Sequence, residues 1–149
     1  SFLKAAPISD EQKLMLEALP PDQRSSVMAK MESANEVIKR FWKIQDEGDY
    51  TKVIDLFSED ALFEDPVYGT FKGKAKILEF MKKMNEEMRS REMVFRAVKI
   101  DGGGEVAWAQ WIAESPKGEI EGCGLYRVEN GLMTYYRDYM NAPSNSSNS

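Results

Sequence analysis

Four strand-like runs, separated by three turn sequences, fill the last third of the chain and restrict its fold more than any other feature. The runs cover residues 93–100, 105–115, 119–128 and 132–140. Glycine occurs in each of the turns between them, and these turns are short enough to join antiparallel neighbours. The pattern therefore predicts a four-stranded antiparallel meander, with alternate side chains on opposite faces.

Helical periodicity precedes the meander. Apolar residues three and four positions apart predict helices over residues 10–19, 22–48 and 74–88, with a further helix-like pattern at 50–57. A short strand that ends at Asp65 follows this last pattern. The order predicts an α+β fold in which a curved antiparallel sheet carries helices on its concave face and encloses a cone.

The chain is expected to have three parts. Residues 1–34 would form an N-terminal helical extension and residues 35–141 a single domain. Residues 142–149 contain only Ala, Pro, Ser and Asn. Such a segment has too few apolar side chains to pack, so we expect it to be disordered.

Composition excludes several kinds of chemistry. The 149 residues contain no histidine, which removes histidine-activated nucleophiles and most zinc sites. Acid/base chemistry must then come from carboxylates, Tyr, Lys or Cys. The net charge of −5 and the lack of a basic stripe disfavour nucleic acid as a partner.

The same totals bear on location. The longest apolar run is too short to span a membrane, and the first residues lack the pattern of a signal peptide. Cys123 is the single cysteine, so no intrachain disulfide can form, which suits a reducing compartment. We therefore expect a cytoplasmic protein.

Two aspartates are the candidate acid/base residues. Asp65 precedes Pro66, which disfavours helical geometry, so its side chain should be fixed at the wall of an apolar cavity; otherwise it is a turn residue that bonds the backbone. Alternation on the last strand places Asp138 on one face with Tyr136 and Met140. Its alternative is an ion pair with a nearby lysine or arginine.

Alternation also predicts the walls of the cavity. Trp108 and Gln110 would point inward from the second strand of the meander, and Cys123 from the third, as a small apolar side chain rather than a nucleophile. Phe41 and Phe63 are also expected to contact the ligand. Gln110 and Tyr136 would be polar helpers. Two carboxylates in such a cavity cannot both stay ionised, so one could act as acid and the other as base.

The segment FWKIQDEGDYTKVIDLFSEDALFEDPVYGTFKGKAKILEFM, followed by YYRDYMN near the end, resembles the NTF2-like superfamily. Within it, the SnoaL-like proteins and ketosteroid isomerases are the most similar groups. The resemblance covers residues 35–141 and implies an NTF2-like cone, no metal and no organic cofactor. Ketosteroid isomerases carry their general base at the position of Asp65. Their two oxyanion donors fall on Phe41 and Cys123, which cannot replace them.

Other branches give other matches. The limonene epoxide hydrolases carry an acidic aspartate at the position of Asp138, but their remaining catalytic positions fall near Trp108 and Gln110 and on Phe63 and Asp65. SnoaL-type cyclases need only one aspartate in an apolar pocket. The superfamily also commonly dimerises through the outer face of the sheet.

Three functions follow, in order of preference. The first is a cofactor-free isomerase or cyclase that moves a proton on an apolar carbonyl compound, with Asp65 as base and Asp138 as acid. The second is a module that binds an apolar ligand or mediates assembly without chemistry, and the third is an epoxide hydrolase. A homodimer would form through outward aromatic residues, for which alternation indicates Trp111, Tyr135 and Tyr139.

Overall fold

The computed structural model describes residues 10–31 and 33–140. Its helices are α1 (Asp10–Glu17), α2 (Pro21–Met31), α3 (Ala34–Asp46), a 3₁₀ helix (Tyr50–Leu56) and α4 (Lys74–Ser90). Its strands are β1 (Phe57–Asp65), β2 (Gly69–Lys72), β3 (Val94–Gly103), β4 (Val106–Ser115), β5 (Gly118–Glu129) and β6 (Leu132–Met140). None of the helices in this part of the chain is both long and apolar enough to cross a membrane.

The six strands form one curved, unclosed sheet in the order β2-β1-β6-β5-β4-β3. Strands β3 to β6 are consecutive antiparallel neighbours, which confirms the predicted meander and the α+β class. The prediction of a wholly antiparallel sheet is wrong in one pairing, because β1 runs parallel to β6 and brings Phe63 opposite Tyr136. Strand β2, which was not predicted from the sequence, pairs antiparallel with β1.

Helices α3 and α4 pack on one face of this sheet. The buried stripe of α3 contains Val37, Ile38, Phe41 and Trp42, and the Phe41 ring packs edge-on against Tyr136 of β6. From α4, Phe80 packs against Phe63 of β1. Both helices therefore cover the face on which Phe63 and Tyr136 stack, with ring centroids 4.4 Å apart.

The single helix predicted over residues 22–48 is two helices. Ser33 is the N-cap of α3, and its hydroxyl accepts a hydrogen bond from the Glu36 backbone N–H. A serine that satisfies a free N–H in this way favours the start of a new helix over the continuation of the old one. The spacing of Ser33 and Glu36 is that of a capping box, which was the signal for the break.

Helices α1 and α2 form a hairpin ahead of α3. The Arg24 guanidinium on α2 donates to the backbone carbonyls of Leu16, Glu17 and Leu19 near the end of α1. These helices fall within the predicted extension 1–34, and its boundary stays a prediction. The predicted disordered tail, residues 142–149, lies outside the described residues.

Candidate active site

A cavity of about 150 Å³ lies between α3, α4 and the sheet, and its walls are almost entirely apolar. Four lining residues are polar or charged and not aromatic: Asp65, Asp138, Gln45 and Arg91. The aromatic lining residues are Trp42, Tyr50, Phe63, Tyr68, Phe80, Phe95, Trp111 and Tyr136. The methionines are Met81, Met84, Met88, Met93 and Met140.

Asp65 ends β1 at the rim of this cavity. Its Oδ1 accepts hydrogen bonds from the backbone N–H groups of Val67 and Tyr68, at 2.8 and 3.0 Å. This is the turn geometry that the sequence analysis gave as the alternative for Asp65. Asp65 is therefore both a turn residue and a lining residue of the cavity, since the two turn hydrogen bonds hold its carboxylate in place.

Asp138 lies deeper, on β6. Its Oδ1 accepts a hydrogen bond from the indole N–H of Trp111 at 3.1 Å. Burial, and then the negative charge of Asp65, raise the pKa of Asp138 to about 7, against the opposing hydrogen bonds from Trp111 and Tyr136. The side chain keeps some contact with the cavity space, but dense protein on its other sides removes most of its hydration.

Within residues 10–31 and 33–140, Asp138 forms no ion pair, which was its alternative role. The neighbouring Arg137 points to the other face of the sheet, where its Nη1 lies 3.0 Å from Oε1 of Glu64. Neighbours on a strand point to opposite faces, which separates the arginine from the carboxyl group next to it. Asp138 is therefore left among aromatic rings.

Two glycines of β5 create the space for this arrangement. An added Cβ at Gly122 would lie 2.4 Å from Cζ2 of Trp111. At Gly124 it would lie 2.4 Å from the Tyr126 hydroxyl and 3.2 Å from Oδ1 of Asp138. No side chain fits at either position without moving its neighbours. The absence of side chains at Gly122 and Gly124 therefore leaves the space that Trp111, Tyr126 and Asp138 occupy.

Tyr126 connects the acid site to α3. It is fully buried, and its hydroxyl accepts a hydrogen bond from the Trp42 indole N–H at 3.0 Å. Tyr136 interacts with both Tyr126 and Asp138, and burial raises the pKa of both phenols well above the usual value. The sequence analysis missed Tyr126, although it continues the alternation of Gly122 and Gly124 toward the core.

A second polar group lies on the α4 side of the cavity. The Tyr68 hydroxyl donates to Oε1 of Glu87 at 2.7 Å, and Nη2 of Arg91 lies 2.8 Å from the same oxygen. Burial and Glu87 raise the pKa of Tyr68 to about 12. The charge of Arg91 is therefore balanced by a carboxylate of its own helix end.

Five of the nine residues assigned to the site from sequence line this cavity: Asp65, Asp138, Phe63, Tyr136 and Met140. Phe41 lies behind Tyr136, with the two ring centroids 5.6 Å apart, and is fully buried.

The predicted inward placement of Trp108, Gln110 and Cys123 is wrong. Gln110 and Cys123 line a shallow groove on the opposite face of the sheet. Trp108 packs beneath the Lys99 ammonium group, which lies 5.8 Å from its ring centroid. Trp111, predicted to point outward, instead lines the cavity and is 3% exposed.

The error has a physical reason in the side chains of β4. Its buried face carries Ala107, Ala109, Trp111 and Ala113. Small residues fit there because α3 brings bulky rings against the sheet. The larger side chains of β4 were expected in the core, so its predicted inner and outer faces were exchanged. Among the described residues, no group of three potential metal ligands occurs.

Comparisons with known proteins agree with this architecture. The family model of the SnoaL-like domain matches residues 38–136. No curated protein matches the chain significantly. Many solved structures do, at low sequence identity.

A Kribbella flavida structure, provisionally assigned as a ketosteroid isomerase, is 16% identical with a TM-score of 0.62, over 77% of this chain and 82% of the other. A Sinorhizobium meliloti structure, provisionally assigned as a polyketide cyclase, is 13% identical with a TM-score of 0.59, over 70% and 94%. An NTF2-like protein of unknown function from Mesorhizobium loti is 17% identical with a TM-score of 0.62, over 83% and 98%. These similarities confirm the predicted NTF2-like fold, and at such identities they show the fold alone.

Proposed function

The chain belongs to the SnoaL-like domain family, and we propose that it is an enzyme that moves a proton on a small apolar carbonyl compound, as an isomerase or a cyclase. One observation carries the proposal: two carboxyl groups share an apolar cavity, and the pKa of the deeper one, Asp138, is raised to about 7. An acid or base is most effective when its pKa lies near the working pH.

The two aspartates have different roles in this proposal. Asp138 in its protonated form donates a hydrogen bond or a proton to the carbonyl oxygen. Asp65, fixed by two backbone N–H groups, removes a proton from the adjacent carbon. Asp65 then returns its proton to another carbon of the same molecule, while the enol oxygen gives its proton back to Asp138. Both carboxyl groups therefore end in their starting states and no cofactor is consumed.

The cavity also limits the substrate. A void of about 150 Å³ lined by apolar side chains accommodates a single aromatic ring. Five methionines line the walls, and their flexible side chains can move to admit a larger molecule. The proposed substrate is therefore a compound with one ring in the cavity and its remainder toward the opening.

A binding module without catalysis is the second candidate. It is favoured by the absence of the ketosteroid isomerase oxyanion donors, since Phe41 is packed in the core and Cys123 is on the outer face. The epoxide hydrolase reading has less support, because Trp108 and Gln110, where its partners would stand, lie outside the cavity.

Proton exchange at carbon is the most direct test, because it does not depend on the direction of reaction. The substrate 3-cyclohexen-1-one has one ring, and its conversion to the conjugated enone can be followed by absorbance, with deuterium exchange at the α carbon followed by NMR. We expect Asp138→Asn and Asp65→Asn to reduce both rates by roughly 10²-fold or more. Asp60→Asn, an exposed aspartate on the same strand as Asp65, is the matched control and should leave them unchanged.

The result also separates the two candidates. If the wild-type protein binds the ketone but exchanges no proton above the buffer rate, the binding module is correct. Exchange that persists at the wild-type rate in both aspartate variants would contradict the proposed roles.

A further inference from the structure

Trp111 controls the orientation of the Asp138 carboxyl group. Its indole Nε1 lies 3.1 Å from Oδ1 of Asp138, and its ring is buried against Gly122, where no side chain could be added without displacing it. Ring and carboxyl group are thus fixed relative to each other by the packing of β4, β5 and β6. This hydrogen bond links β4 directly to the proposed acid.

The chemistry of the indole fixes the position of the Asp138 proton. An indole N–H can donate a hydrogen bond but cannot accept one. Oδ1 must therefore be the accepting oxygen in both protonation states of Asp138. The carbonyl oxygen of a neutral carboxyl group accepts hydrogen bonds better than its hydroxyl oxygen, so the Trp111 bond favours the hydroxyl proton on Oδ2. Tyr136 also hydrogen-bonds Asp138, and its phenol can accept as well as donate.

We infer that Trp111 is a positioning residue that keeps the Asp138 proton on Oδ2, so that the cavity selects neutral ligands that present a carbonyl oxygen to it. This inference rests on the proposed function for its class of ligand, whereas the role of Trp111 can be tested without turnover. Carboxylate ligands are excluded because Asp65 and Asp138 would repel them. Among the described lining residues no free cation offsets this repulsion, since Arg91 already pairs with Glu87.

Four titratable groups on three strands interact with Asp138. Asp65 acts on it from β1, Tyr126 and Cys123 from β5, and Tyr136 from β6. Burial and Asp138 itself raise the pKa of Tyr126, Tyr136 and Cys123 above their usual values. All three therefore stay neutral while Asp138 changes charge.

An NMR titration tests the role of Trp111. The ¹³C shift of the Asp138 carboxyl carbon gives its midpoint in the wild type, in Trp111→Phe and in Trp108→Phe, a control on the same strand but on the outer face. Loss of a hydrogen bond to the ionised form should move the midpoint upward by about one pH unit in Trp111→Phe. Trp108→Phe should leave it unchanged, and an equal midpoint in all three proteins would overturn the inference.

The wild-type protein offers a check that needs no substitution. The ¹⁵N and ¹H shifts of the Trp111 indole N–H should follow the same midpoint as the Asp138 carboxyl carbon, because the hydrogen bond strengthens when its acceptor becomes charged. The Trp108 indole should not follow it. A Trp111 indole that is insensitive to this titration would also overturn the inference.

Acetophenone and benzoate test the ligand class, since they share a ring and differ in charge. Binding of acetophenone to the wild type should weaken about tenfold from pH 6 to pH 8, as the protonated fraction of Asp138 falls, and benzoate should bind more weakly than acetophenone at both pH values. Acetophenone binding that does not change with pH, or tighter binding of benzoate, would contradict the selection of neutral carbonyl compounds. These results stand even if no proton exchange is found, so failure of the catalytic proposal can be told apart from failure of this inference.

Discussion

The two aspartates of the cavity have the same chemistry but opposite surroundings. Asp65 lies at a turn and receives two backbone N–H bonds on one oxygen. Asp138 lies under a layer of rings and receives its hydrogen bonds from Trp111 and Tyr136. Because burial penalises a charge more than two donors can offset, Asp138 is the carboxyl group that holds a proton near neutral pH.

The sequence predicted the two acids but not the residues that tune one of them. Asp65 stands out because it precedes a proline, and Asp138 because alternation places it on one face with Tyr136 and Met140. Trp111 could not be assigned in the same way, since both faces of β4 carry apolar side chains. Tyr126 could have been assigned, because the outer face of β5 is mostly charged. Hydrophobic alternation gives the face of a strand only when one face is polar.

The raised pKa of Asp138 predicts an unusual dependence of stability on pH. The folded state binds this proton more tightly than the unfolded state, so the wild type loses stability as pH rises from the unfolded pKa, about 4, to the folded pKa, about 7. Asp138→Asn lacks this proton. Its free energy of unfolding relative to wild type should therefore increase by a few kcal/mol across that window, at about 1.4 kcal/mol per unit of pKa shift.

Urea denaturation at pH 4, 5.5, 7 and 8.5 measures this difference. Asp60→Asn, whose side chain is exposed, should show a difference from wild type that is nearly constant with pH. A constant difference for Asp138→Asn as well would mean that the carboxyl group titrates normally.

At the level of elements, the local turn signals predicted the meander correctly, whereas a non-local strand pairing and one local helix break were not predicted. The tight turns of the meander are encoded in a few adjacent residues, and the predicted strands β3 to β6 are confirmed. The parallel pairing of β1 with β6 joins residues more than 70 positions apart, such as Phe63 and Tyr136, and no local pattern encodes it. The break before α3 was encoded locally, by Ser33 and Glu36, but the apolar periodicity that continues across it concealed the signal.

One polar contact joins the 3₁₀ helix to α4 beside the cavity. Asn85 on α4 donates to Oδ1 of Asp49 at 2.8 Å, and its own Oδ1 accepts the Tyr50 backbone N–H at 2.8 Å. Hydrogen bonds from Thr51 and then Asn85 lower the pKa of Asp49 to about 2. Because Tyr50 lines the cavity, this contact also fixes part of its wall.

Asn85→Asp tests this contact with almost no change in shape. The acceptor for Tyr50 is kept, but the donor to Asp49 is replaced by a second carboxylate, so we expect a loss of about 1–3 kcal/mol in the free energy of unfolding at pH 7. At pH 4 the loss should shrink, because one of the two carboxyl groups becomes protonated and can donate. Asn130→Asp adds the same charge at an exposed turn and should have little effect. An equal loss at both pH values would argue against repulsion as the cause.

On the scale of the whole molecule, the sheet has two unlike faces. Its inner face is covered by α3 and α4 and forms the cavity. Its outer face exposes apolar side chains that include Val106, Leu125 and Tyr139, with Trp108 directly opposite Leu125 across the β4–β5 pair. These apolar side chains lie among charged ones, since Leu125 is also opposite Arg137 and Val106 is opposite Arg127. Exposed apolar clusters with a polar rim are typical of faces that pair with another molecule.

The homodimer predicted from the sequence would use this outer face. Trp108, and not Trp111, would then be the tryptophan that contacts the partner. Leu125→Glu puts a charge at the centre of the surface, and a buried unpaired charge strongly disfavours association. Sedimentation at micromolar concentration should give twice the 17.0 kDa chain mass for the wild type and the single mass for Leu125→Glu. Leu14→Glu makes the same substitution at an exposed leucine of α1 and should remain dimeric. A wild-type protein that sediments as a monomer would contradict the predicted dimer, and a Leu125→Glu variant that stays dimeric would place the interface elsewhere. Neither result would affect the pH-dependent behaviour of Asp138, because the cavity opens on the other face.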